Sequence, residues 1–152
     1  MDRSVVHELA TAAAAATPPG HVDFATWAAM DRDRYWQTLL SGKGPAGPLE
    51  PTASHLLRSA GIVVGAAAVT VMPRSPWWPG GAWLSEIFVV PRCQNLGLGR
   101  RLLVRSLVDA AGAGHERIGL TVTEDNRAVH LYTRLGFSRF RATWFVELPT
   151  LA

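Results

Sequence analysis

Cysteine is nearly absent from this 152-residue chain: Cys93 stands alone. That excludes an internal disulfide and a cysteine-built metal cage. The five histidines (His7, His21, His55, His115, His130) are scattered, none paired at HExxH spacing, so no metal site is expected. Long hydrophobic runs are also missing. The longest, Ile62 to Met72, is interrupted by Gly65 and Thr70 and is too short to span a bilayer, so no membrane partner is expected. The first residues carry Asp2, Arg3, His7 and Glu8 among alanines, a poor secretion signal, and the expected location is cytoplasmic. Lysine is scarce too: of 15 basic residues only Lys43 is not arginine. Against 12 acidic residues the net charge is +3, too mild and too dispersed for a nucleic-acid partner.

What is present describes one globular domain over residues 1–152, with 48% hydrophobic and 18% charged residues. Met1 to Ala16 is predicted helical on alanine propensity, and Pro18, Pro19 and Gly20 stop it. A second helix is expected from Phe24 to Leu40, capped by Asp23, giving a helical N-terminal part over residues 1–50. His55 to Ala60 and Ile62 to Met72 read as a hairpin around Gly61. Trp77 and Trp78 sit in a loop, and Trp83 to Val90 is a nearly continuous apolar strand. Leu98 to Ala111 has helical spacing, with Leu98, Leu102, Leu103, Leu107, Val108 and Ala111 on adjoining stripes. Ile118, Leu120 and Val122 alternate as a strand. A helix capped by Asp125 or Asn126 follows, ending at Gly136, and Phe140 to Leu148 alternates again. The order strand, helix, strand implies an α/β (α+β) fold with a parallel pair.

Between the strand ending at Pro91 and the helix from Leu98 lies PRCQNLGLGRR, residues 91–101. Gly97 and Gly99 let the backbone approach a ligand closely. The unpaired amides and dipole of a helix start favour an anion there. Arg92, Arg100, Arg101 and Arg105 crowd the segment. Their planar forks suit phosphate, though each alone fits a solvated helix face equally. A dinucleotide fingerprint is disfavoured because its third glycine position is Leu102, and no Gly-Lys-Ser/Thr triplet exists for a nucleotide-triphosphate loop.

Gln94 to Gly99 resembles the Q/RxxGxG/A coenzyme A loop of the GNAT N-acyltransferase superfamily. Leu84 to Pro91 (LSEIFVVP) resembles the strand that precedes it, and Ala128 to Phe137 (AVHLYTRLGF) resembles that family's AxxLYxxLGF segment. The three pieces occur in family order within residues 83–148, expected to be the cofactor-binding and catalytic core. The resemblance implies a mixed central sheet of about six strands flanked by helices, with acetyl-coenzyme A as co-substrate and no metal. It implies that backbone amides of Gln94, Asn95, Leu96, Gly97, Leu98, Gly99 and Arg100 bind the diphosphate. Main-chain groups of Ile87, Phe88 and Val89 would pair with the pantetheine arm, and one would polarise the thioester carbonyl. Tyr132 would protonate the departing thiolate.

Glu86 is the one charge inside an apolar strand, where burial would raise its pKa. It is expected either as general base or as substrate anchor, with Glu124 in reserve. The resemblance implies an Asn three residues before the Ala128 that opens the AVHLYTRLGF segment; that slot is Asp125, with Asn126 next to it, so either Asp125 or Asn126 contacts the cofactor. The first 50 residues show no convincing strand. Either Ser4 to Val6 forms a very short one or the usual first edge is missing, and an exposed edge invites a homodimer. Arg100 and Arg105 are further phosphate candidates, Cys93 a bystander thiol, His130 a surface residue. Trp77, Trp78 and Trp83 are candidates for the acceptor pocket. The expected activity is N-acetyl transfer to a primary amine of a small molecule or peptide. Alternatives are protein N-terminal acetylation and a non-catalytic acyl-coenzyme A sensor.

Overall fold

The computed structural model describes residues 3–16 and 31–142. The alanine-rich start forms helix α1, Arg3–Ala16, whose Val6, Leu9, Ala10 and Ala13 are buried. They recur at i, i+3, i+4 and i+7, a stripe hard to see in the sequence because alanine occupies both faces. Ser4 to Val6 is therefore helical, and the short first strand considered for it does not form. Helix α2, Arg32–Ser41, is capped by Asp31, whose carboxylate accepts the Arg34 N–H at 3.0 Å. Asp31 has extended backbone, so no unbroken helix runs from Phe24 to Leu40. The expected cap Asp23 lies outside the described residues.

Strands β1 (His55–Ser59) and β2 (Ile62–Met72) form the expected antiparallel hairpin. Its two-residue turn, Ala60 and Gly61, has φ of 49° and 80°, the positive pair that matches strand twist. Strand β3, Gly81–Val89, pairs antiparallel with β2. A 3-10 turn over Pro91–Cys93 leads into helix α3, Leu98–Gly112, and then β4, Ile118–Gly119, runs parallel to β3. The helical crossover thus produces the parallel pair anticipated. Helix α4, Ala128–Arg134, follows.

The described sheet has four strands in the order β1-β2-β3-β4, fewer than the six expected. Ser4 to Val6 is helical, and β4 is present but stops at Gly119, so Leu120 and Val122 lie outside its ladder. Phe140 to Ala142 is irregular, and the rest of the expected last strand lies outside the described residues. β1 is the outer edge, the place where an additional strand would add.

The two sheet faces carry two cores. On one, α1 and α2 supply Leu9, Trp36 and Leu39 against Val64, Ala66 and Ala68. On the other, α3 and α4 supply Leu102, Leu103, Ala110 and Tyr132 against Ala67, Val69, Ala82 and Leu84. The buried stripe of α3 runs through Ser106, whereas Val108, assigned to it from spacing, is 61% exposed. Burying a Leu side chain fully is worth about 1.5–3 kcal/mol, so these layers fix where β3 lies.

Candidate active site

The turn between β3 and α3 is built by local backbone chemistry. The Gln94 side-chain amide donates to the Val89 carbonyl at 2.8 Å, tying the loop to the strand end. Asn95 and Gly97 adopt left-handed conformations, φ 60° and 75°. Asparagine and glycine are the residues that tolerate this. The first amide with a helical acceptor is Arg101, bonded to the Gly97 carbonyl at 3.0 Å. Among the described residues, the N–H groups from Asn95 to Arg100 have no partner. A run of free amides at the positive end of a 15-residue helix favours an anion there. Nothing lies within 4 Å of where a Gly97 side chain would begin, so the hollow is open.

Arg100 and Arg101 are exposed beside this hollow. Arg105 bonds Asp109 through its Nε at 2.5 Å, one turn along α3. A cavity of about 410 Å³ lined by Thr52, Arg105, Asp109, Gly112 and Ala113 lies beside the far half of α3. Its charges are already matched to each other, and it has no part in the hollow.

Alongside the hollow, β3 presents a free edge. The β3–β4 ladder holds only Ala82↔Ile118 and Trp83↔Gly119, so no described strand lies beside Leu84 to Val89 on that side. Ile87, Phe88 and Val89 all fall within this open stretch. The Val89 carbonyl is already taken by Gln94, so the remaining acceptors there are upstream.

Within the same stretch a β-bulge decides which way Glu86 faces. Ala68 pairs with Glu86 and Val69 with Leu84, so Ser85 is an extra residue in β3. Its hydroxyl meets that of Thr70 at 2.8 Å. Before the bulge Ala82 and Leu84 face α3 and α4, and after it Ile87 and Val89 do. Glu86 and Phe88 are thereby turned toward α1 and α2, where Ala68 and Ala66 lie opposite them. Strict alternation would have put Glu86 on the Leu84 face.

The Tyr35 hydroxyl of α2 donates to Glu86 Oε1 at 2.5 Å. Burial raises the Glu86 carboxyl to about 7, with the Tyr35 hydrogen bond opposing it. Burial and then the Glu86 charge push the Tyr35 phenol far above its usual range. Tyr132, buried on α4, is pushed up to about 12 by burial first and by the Glu86 charge second. Glu86 and Tyr132, singled out by sequence on separate grounds, thus act on one another electrostatically. Tyr35 falls within the helix expected from Phe24 to Leu40, and nothing in the sequence reading singled it out. The signal that could have found it is chemical: a tyrosine on a buried face needs a partner for its hydroxyl.

The remaining candidates separate cleanly. Neither Asp125 nor Asn126 caps α4, whose cap position is Arg127; Asn126 Oδ1 accepts the Ala128 N–H at 2.9 Å in the turn just before it, and Asp125 is exposed. Glu124 is exposed and pairs with Arg139 at 2.8 Å. His130 is exposed, and Cys93 is half-buried between the two cores. Trp78 and Trp83 pack edge-on at 5.0 Å near the start of β3, with Trp77 42% exposed beside them. No group of three His, Cys, Asp or Glu side chains capable of holding a metal occurs among the described residues. No helix among them is long and apolar enough to cross a membrane.

With this geometry in hand, comparison with known proteins is specific. The model of the acetyltransferase (GNAT) family matches residues 17–137. A mycothiol acetyltransferase of Kineococcus radiotolerans is 33% identical over 125 residues, 80% of this chain and 41% of the relative. One from Actinosynnema mirum is 43% identical over 63 residues, 39% of this chain and 21% of the relative. The chain thus spans less than half the length of the curated relatives it matches. Among solved structures, aminoglycoside N-acetyltransferase AAC(6')-Iy in complex with CoA superposes with a TM-score of 0.66 at 16% identity, covering 97% of this chain and 91% of that one. A GCN5-related N-acetyltransferase from Ralstonia eutropha gives a TM-score of 0.66 at 20% identity, covering 98% and 94%.

Proposed function

The chain belongs to the acetyltransferase (GNAT) family, and from that premise we propose that it transfers an acetyl group from acetyl-coenzyme A to a primary amine of a small molecule. The observation that carries this is the row of unpartnered N–H groups from Asn95 to Arg100 beside the open edge of β3. A diphosphate fits the row, with Arg100 exposed at its rim. An extended pantetheine arm fits an edge that lacks a strand. The Asn126 amide nitrogen remains available beside the oxygen that accepts the Ala128 N–H.

In this reading acetyl-coenzyme A supplies an activated acyl carbon. The amine nitrogen bonds that carbon, the carbon–sulfur bond breaks, and the proton leaving nitrogen passes to Glu86. A carboxyl at about 7 suits that task, being mostly ionised at slightly alkaline pH yet basic enough to accept a proton. An amide of Ile87, Phe88 or Val89 would meet the charge developing on the acyl oxygen. Tyr132 keeps its proton at any ordinary pH. Handing it fully to a thiolate of pKa near 8.5 would run uphill by roughly 5 kcal/mol. Its role is therefore a hydrogen bond to the departing sulfur rather than outright protonation.

The curated relatives' shared name, mycothiol acetyltransferase, supports a small-molecule acceptor over a protein N-terminus. The test is calorimetric titration with acetyl-coenzyme A, then thiol release against a panel of small amines, amino sugars and peptides. Binding with turnover on small amines is expected. Turnover confined to peptides would move the acceptor to protein N-termini, binding without any turnover would favour a sensor, and no binding would end the reading.

A further inference from the structure

Helix α2 is seated on β3 by two adjacent side chains. Trp36 meets Phe88 edge-on at 6.1 Å, and Tyr35 reaches Glu86 across the intervening Ile87 position. The two oxygens of Glu86 are consequently unlike. Oε1 is held by the Tyr35 hydroxyl, whereas Oε2 has no partner among the described residues and is not one of the sealed, unsatisfied polar atoms. One oxygen is fixed and the other is open.

We propose that Tyr35 is the positioning residue for Glu86: its hydroxyl fixes Oε1 and so leaves Oε2 as the oxygen that takes the proton of the acceptor amine. The inference rests on the acetyltransferase reading and extends it to α2, outside the three motif pieces within residues 83–148. The surroundings of Glu86 leave Tyr35 as the controlling group. α1 presents Val6, Leu9, Ala10 and Ala13, none of which titrates. β2 presents Ala68 opposite, with the Thr70 hydroxyl occupied by Ser85. From the other side come Tyr132 on α4 and the half-buried Cys93 thiol. Of these only Tyr35 donates to the carboxylate, and a bond to the charged form holds the carboxyl lower than burial alone would.

The test is a carbon-13 titration of the Glu86 carboxyl in the full chain, wild type against Tyr35→Phe, with Trp36→Phe as a packing control. This needs no knowledge of the acceptor. Tyr35→Phe is expected to raise the Glu86 midpoint by roughly one pH unit, and Trp36→Phe to leave it in place. With a working amine, Tyr35→Phe should lower kcat at neutral pH, recover toward wild type at higher pH, and leave the KM for acetyl-coenzyme A unchanged. An unmoved midpoint, an equal shift in Trp36→Phe, or a loss of kcat that is flat with pH would overturn the proposal. Absence of wild-type turnover on every amine would instead sink the acetyltransferase reading, while the carboxyl titration would still judge the contact.

Discussion

Trp83 and Gly119 form the last rung of the parallel β3–β4 ladder, and the Trp83 indole lies where a side chain on residue 119 would stand. A Cβ there would come within 2.5 Å of Trp83 Cζ3 and 2.8 Å of Trp78 Cη2. Beyond this rung the two strands part, and the free edge of β3 begins. The rung therefore joins the aromatic cluster to the mouth of the candidate site.

Gly119→Ala should destabilise the fold by about 1–3 kcal/mol, since two packed indoles must shift to admit one methyl group. Thermal unfolding would read this as a fall of several degrees. An unchanged Tm would mean that the rings move freely and that the rung does not hold the strands.

Glu86 gives stability a distinctive pH dependence. Its carboxyl is raised from 4.5 to about 7 on folding, so the folded state binds the proton more tightly than the unfolded state. That contribution is full below pH 4.5 and is lost as pH rises through 7, amounting to about 3 kcal/mol at most. Glu86→Gln should therefore gain on wild type between pH 5 and pH 8. Urea unfolding at both values tests it; a pH-independent difference would count against a buried, proton-binding Glu86.

Tyr132→Phe keeps the ring contact with Phe137, centroids 5.7 Å apart, and removes only the hydroxyl. We expect kcat to fall roughly 10²-fold, with the affinity for acetyl-coenzyme A little changed. Stopped-flow thiol release would show it, and undiminished turnover would take Tyr132 out of the chemistry.

Two substitutions at Gly97 separate strain from blockage. The space around it is open, but its φ of 75° is costly for any residue with a side chain. Gly97→Ala should cost about 1–2 kcal/mol of stability with modest loss of coenzyme A affinity. Gly97→Glu should all but abolish binding by placing a carboxylate among amides that await an anion. Equal affinities in the two variants, measured by calorimetry, would remove the anion from that hollow.

Much of the site was legible because its signals are local. Gly97 and Asn95 mark a backbone that must turn left-handed, and the start of α3 follows from spacing, so the run of free amides was foreseeable. Gly136 marked the end of α4 for the same reason. The Arg105–Asp109 pair was not legible, because the sequence cannot say whether a guanidinium turns forward to a ligand or back to Asp109 four residues on. The sheet was overcounted at Ser4 to Val6, which belongs to α1, and β4 was drawn too long because alternation at Leu120 and Val122 looks like a strand whether or not a neighbour is present to pair with it.

By itself the order of residues determined the glycine turn before α3, the parallel crossover, and the presence of one carboxylate in an apolar strand. Only the tertiary structure decided where that carboxylate points. Ser85, one extra residue against β2, reverses the alternation of β3 and turns Glu86 from the Leu84 face to the face under α2. There Tyr35, 51 residues earlier in the chain, meets it. A bulge is a relation between two strands and a hydrogen bond a relation between two elements, and neither exists until distant segments have packed.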